Sequence, residues 1–199
     1  MTAGNKQIFK FRGNNYVRNL IYISMALSIG LSGCGSSMGS TTDLTTVYLT
    51  ATPSTDRLEA DVLTGNSCST GGGTYTTQTI PIIVTSTAYA NATTKSPVTI
   101  NSIAISYSKY GASSTAYPLP TQYDTGATIN PGDSKTFNVK VAPDKLMLDM
   151  VDTYGFSLCS LDYWEYYATV AFSGVENFTG KSVLFNTVVK VAFADRNNI

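Results

Sequence analysis

From Thr45 onward, short segments with apolar residues at alternate positions follow one another at intervals broken by glycine, proline, serine and asparagine. A period of two is the signature of a strand with one buried face, because successive side chains point to opposite sides of the backbone. Seven segments carry it: TTVYLTA (45–51), RLEADVL (57–63), TIPIIVTST (79–87), PVTINSIAISY (97–107), KTFNVKVA (135–142), EYYATVAFS (165–173) and VLFNTVVKVAFA (183–194). All are rich in the β-branched and aromatic residues that fit a pleated, half-buried surface. Asn130-Pro131-Gly132-Asp133 places proline and glycine at the centre of a type II turn. Gly71-Gly72-Gly73 and the stretch from Gly174 to Gly180 mark looser connections.

The alternation also assigns faces. Phe137, Val139 and Val141 form one row, as do Phe185, Thr187, Val189, Val191 and Phe193. In the fourth segment Val98 and Ile100 share one phase while Ile103, Ile105 and Tyr107 share the other, so a bulge at Asn101 or Ser102 is predicted to let both sets face inward. If the aromatic stretch DYWEYY (162–167) continues into the sixth, Trp164, Tyr166, Ala168, Val170 and Phe172 fall on the inward row and Tyr163, Glu165 and Tyr167 on the outward one. One helix is predicted after Pro143, with Asp144 as N-cap, Met147, Met150, Val151 and Tyr154 at helical spacing and Gly155 as the stop. Ser108 to Ile129 has the weakest pattern and reads as an edge strand or a long exposed loop.

Seven or more strands with one short helix predict an all-β domain, a single antiparallel β-sandwich. The stretch INPGDSKTFNVKVAP resembles the strand-opening pattern of bacterial immunoglobulin-like domains, and this resemblance favours an immunoglobulin-like sandwich over a barrel.

The N-terminal region breaks the pattern. Lys6, Lys10, Arg12 and Arg18 precede an apolar run from Leu20 to Leu31, with no acidic residue among the first 33 positions. Spanning a bilayer takes roughly 20 apolar residues, and this run offers only about 12. It ends in Leu31-Ser32-Gly33-Cys34, which resembles the lipobox of bacterial lipoprotein precursors at all four positions. The resemblance implies cleavage after Gly33, a diacylglyceryl thioether on Cys34 and, in many bacteria, acylation of the new amine. Residues 1–33 are then a signal peptide, 34–43 a lipidated flexible tether and 44–199 the folded domain. Gly35 stands where an aspartate would signal inner-membrane retention in enterobacteria, so the outer membrane is the expected destination.

Without its leader the chain keeps nine basic residues against 13 acidic, a net charge of −4, and no basic patch points to nucleic acid. Lipidation of Cys34 leaves Cys68 and Cys159 as a pair, expected to form a disulfide in an oxidising compartment. The alternatives are a reactive thiol, which lacks a CxxC spacing and a histidine to activate it, and two free buried thiols.

Candidate chemistry is sparse. The chain has no histidine, which excludes serine and cysteine nucleophiles activated by imidazole and metal sites built on it. Asp144, Asp149 and Asp152 lack an EF-hand spacing and read as solvated helix charges rather than calcium ligands. Asp162 and Glu165, three residues apart on a strand, would point to opposite faces and make a poor glycosidase pair. No cofactor or metal is called for, and a non-enzymatic role is expected. Two roles stay open: a structural or protein-interaction module of the cell envelope, or a carbohydrate-binding or adhesive surface protein. For the second, Tyr163 and Tyr167 are the candidate ligand-stacking residues.

Overall fold

The computed structural model describes residues 45–109, 120–160 and 163–196. Eight strands and one helix follow in the order β1 (Val47–Pro53), β2 (Arg57–Asp61), β3 (Gln78–Ala88), β4 (Val98–Lys109), β5 (Thr121–Ile129), β6 (Ser134–Ala142), α1 (Asp144–Asp152), β7 (Tyr163–Glu176) and β8 (Ser182–Ala194). They form a three-stranded sheet in the order β1-β3-β6 and a five-stranded sheet in the order β2-β8-β7-β4-β5. Among the described residues the protein is therefore all-β, with one short helix.

All pairings are antiparallel except one. β2 runs parallel to β8, with Arg57 opposite Lys190 and Asp61 opposite Ala194, which corrects the expectation of a purely antiparallel arrangement. A period of two fixes which side chains face inward but carries no information on the direction of a neighbour. The weakly patterned stretch before Ile129 contains the edge strand β5, paired with β4 alone.

Inward rows from both sheets merge into one apolar core. Phe172 of β7 meets Phe137 of β6 edge-on at 5.6 Å between ring centroids and stacks on Phe185 of β8 at 5.0 Å. Offset-stacked and edge-to-face pairs are the favoured aromatic geometries. Tyr107 of β4 crosses between the sheets, its hydroxyl donating to the Val141 carbonyl of β6 at 2.9 Å, and burial pushes its ionisation well above the usual tyrosine value. Gln78 at the start of β3 makes a second crossing, donating to the Asp61 carbonyl at 2.6 Å and accepting from the Asp61 N–H at 3.3 Å.

The bulge falls where the change of phase places it. Ile100 lies opposite Gly174 and Ser102 opposite Ser173, so Asn101 is the extra residue on β4, and Val98, Ile100, Ile103 and Ile105 are all buried. The same irregularity presses the two backbones together. A Cβ on Gly174 would stand 2.4 Å from the Thr99 carbonyl oxygen, so only glycine fits there without a backbone shift.

The turn at Asn130–Asp133 closes through Asp133 N–H to Asn130 C=O at 3.0 Å, with Gly132 at φ 92° as a type II turn requires. Helix α1 begins one residue earlier than its predicted cap implies. Pro143 is the N-cap, and Asp144 is the first helical residue, accepting from the Lys145 N–H at 2.9 Å. Proline lacks the side-chain oxygen that would satisfy the helix's first donors, and the Asp144 carboxylate, with Thr77, supplies bonds there. Leu146, Met147 and Met150 are buried, and beyond Gly155 the Phe156 N–H returns to the Met150 carbonyl at 2.8 Å.

One charge is enclosed at the end of the domain where β1 begins. Glu176 is fully buried on the inward phase of β7. One carboxylate oxygen accepts from the Thr46 N–H at 2.6 Å, the Thr46 hydroxyl at 3.0 Å and the Val47 N–H at 3.1 Å, and the other accepts from the Thr179 hydroxyl at 2.6 Å. The Thr46 hydroxyl in turn accepts from the Ser96 N–H at 3.0 Å, so the start of β1, the segment before β4 and the β7–β8 turn meet in one network.

Two substitutions test these contacts. Gly174→Ala is expected to lower the unfolding midpoint in urea, because its methyl group meets backbone rather than a side chain able to move. Glu176→Ala is expected to cost about 3 kcal/mol or more, since it leaves two backbone N–H groups without their acceptor at about 1–3 kcal/mol each. A midpoint within error of wild type for either variant would contradict the corresponding contact.

Candidate functional site

The outward row of β7 carries the candidate tyrosines, and the register places them as the alternation predicts. Tyr163 is 51% exposed and Tyr167 40% exposed, whereas Tyr166 between them is fully buried. Tyr166 packs on Phe193 at 6.0 Å, edge to face. Trp164 shares the inward phase but lies near the end of the sheet and is half-buried, meeting Phe156 edge-on at 5.1 Å.

Glu165 is the residue that alternation alone misplaces. It belongs to the outward row, yet it is only 9% exposed. Neighbouring strands cover it: Lys190 of β8 approaches to 2.8 Å and Arg57 of β2 to 3.4 Å. Arg57 also pairs with Glu59, and Glu59 pairs with Arg196, so five charges run as Arg196, Glu59, Arg57, Glu165 and Lys190. Asp61 joins at the end, accepting the Arg196 N–H at 3.0 Å. The sequence hint to this ladder is the set of charges on the outward phases of 57–63 and 183–194. What joins them is the parallel β2–β8 register, which no local pattern reveals.

Ala192 and Ala194 of β8 stand between the β2 charges and the β7 tyrosines, with Ala192 opposite both Glu59 and Glu165 and Ala194 opposite both Asp61 and Tyr163. Small residues at these two positions let the ladder lie low across the sheet. The result is an outer face on which two exposed tyrosines flank Glu165 and stand beside a ladder of paired charges.

At the end of the domain opposite Glu176, Cys68 and Cys159 are joined by a disulfide with their Cα atoms 5.6 Å apart. It ties the long connection between β2 and β3 to the segment after α1. Asp195 supports the same junction, accepting from the Cys159 N–H and, at 2.9 and 3.0 Å, from the Asn66 side-chain amide. Cys68, Cys159 and Asp195 bring potential metal-ligating atoms within 4.8 Å of one another, but the two sulfurs are bonded to each other and offer no thiolate.

The other sequence candidates separate. Asp149 pairs with Lys145 at 3.0 Å and Asp144 binds the first turn of its own helix. Asp162 and the lipobox residue Cys34 lie outside the described residues. Among the described residues no helix is long and apolar enough to cross a membrane. No protein-family model matches this chain, and no curated protein or solved structure matches it.

The disulfide closes a loop of sequence separation 91, for which chain entropy alone gives about 4–5 kcal/mol. Cys68→Ser/Cys159→Ser is therefore expected to lose about 2–4 kcal/mol in denaturant unfolding. Equal stability of the double variant and the oxidised protein would show that the crosslink adds nothing to the fold.

Proposed function

We propose that this chain is a bacterial lipoprotein whose folded part is an immunoglobulin-like β-sandwich serving as a non-catalytic structural or protein-interaction module of the cell envelope. The observation that carries the reading is the complete Leu31-Ser32-Gly33-Cys34 match, preceded by four basic residues and a short apolar run. Cys34 is the lipidated residue, and the acyl chains hold the protein to the membrane, most favourably the outer one. Two or three chains at about 0.8 kcal/mol per buried methylene anchor far more firmly than one.

The fold is consistent with that arrangement. Polar, small residues follow Cys34, and the chain is gripped by Glu176 as soon as it reaches Thr46 and Val47. The two sheets with a shared core support the sandwich reading, and the disulfide suits an exported protein. A second reading, carbohydrate-binding or adhesive surface protein, is favoured by the exposure of Tyr163 and Tyr167 on one sheet face.

Metabolic labelling with an alkyne fatty acid tests the anchor. The wild-type chain is expected to take up label and mature by loss of its leader, while Cys34→Ser takes up none and accumulates as precursor. Equal labelling of both would overturn the assignment.

A further inference from the structure

The outer face of the β2-β8-β7 layer has a composition that points to a particular ligand chemistry. Tyr163 and Tyr167 are four residues apart on one strand, so their Cα atoms are separated by about 13 Å, the reach of a short oligosaccharide. Between them lies Glu165, held by Lys190 and Arg57. Counting Asp61, the ladder contains three cations and three carboxylates, each with an oppositely charged or hydrogen-bonding partner.

That balance discriminates among ligands. A polyanion such as nucleic acid or a sulfated glycan is recognised by an excess of positive charge, and this face has none. A purely apolar partner would strip water from the exposed charges of Arg57, Glu59 and Arg196, a cost that exposed pairing does not recover. A neutral sugar chain avoids both difficulties. Its equatorial hydroxyls both donate and accept, so they bond to guanidinium, ammonium and carboxylate groups that remain paired with one another. Its C–H faces, meanwhile, cover the tyrosine rings. Charge-assisted hydrogen bonds are the stronger kind, and mutual pairing holds their directions before the ligand arrives.

We infer that this face is a binding platform for a neutral polysaccharide, with Tyr163 and Tyr167 stacking on sugar rings and the Arg57–Glu165–Lys190 group bonding to hydroxyls between them. The inference rests on the second, carbohydrate-binding reading given above and names its ligand class, and its chemistry is independent of the lipid anchor.

Full-length protein extracted in detergent, incubated with microcrystalline β-1,4-glucan, with chitin and with immobilised heparin, provides the test. Retention on a neutral polysaccharide is expected, unchanged by 0.5 M salt in the manner of uncharged recognition (about 4 Å Debye length). Tyr163→Ala/Tyr167→Ala is expected to weaken it about tenfold or more at a temperature where circular dichroism shows the variant folded. Glu165→Gln serves as the second variant, read as a loss of retention at a temperature where circular dichroism shows it folded. Absence of retention on both neutral polymers overturns the inference, as does undiminished retention of the tyrosine double variant. Retention confined to heparin and abolished by salt also overturns it. Fatty-acid labelling of the same preparation reads the anchor separately, so a negative result on glycans leaves the lipoprotein assignment standing.

Discussion

Phe172 lies between Phe137 of the opposite sheet and Phe185 of the adjacent strand, and this contact sets how the two layers of the protein meet. An aromatic ring removed from water on both sides contributes through area and through ring geometry, and its neighbours in the row inherit the same depth. Tyr166, Ala168, Val170 and Phe172 are all fully buried along β7, as are Val189, Val191 and Phe193 along β8. The outward rows of those strands are free to vary in chemistry because the inward rows already fix their register. A shift by one residue would turn Phe172 and Val170 into solvent together.

The core dictates where polar groups must be satisfied, and they gather at the ends. At one end Glu176 occupies an inward position where a glycine and a run of apolar residues precede it, and it is tolerated because four donors converge on its oxygens. At the other end the apolar rows run out near Trp164, and the disulfide with Asp195 closes the loops that the core does not reach. Tyr107 and Gln78 bond across the interior between the sheets. A domain with an apolar middle and polar ties at each end thus follows from rows of finite length.

How much of this was legible in the sequence depends on the range of the interaction. Seven strand segments, the bulge at Asn101, the turn at Pro131-Gly132 and the inward placement of Tyr166 and Phe172 all follow from periods of two and from turn chemistry, which are local. β5 was legible only as one of two options, because TQYDTGATI alternates between partial and full exposure and buries a residue completely only at Ile129. The parallel partner of β2 was not legible, since direction is set by where the chain returns after an intervening 120 residues or more. Glu176 did carry a signal: extending the phase of Tyr166, Ala168, Val170 and Phe172 by four residues places it inside. Glu165 carried none, because its cover comes from Arg57 and Lys190 on two other strands.

The same distinction separates the candidate tyrosines from the groups that give them context. Tyr163 and Tyr167 are readable as an exposed pair from one strand alone, and an exposed pair on a sheet face is an ordinary feature of a surface. The parallel addition of β2 changes its meaning, because it lays Arg57, Glu59 and Asp61 beside Lys190, Ala192 and Ala194 at the one stretch of β8 where two small residues lower the surface. Had β2 been absent, Glu165 would keep Lys190 as a partner but lose Arg57, and the face would be two rings beside a single ion pair. With β2 in place, Glu165 between the two tyrosines is paired with cations from two neighbouring strands, and the charges of β2 continue the ladder beyond β8. The chemical character of this surface is therefore a property of strand order in the sheet, built on a core whose alternation leaves the outer residues unconstrained.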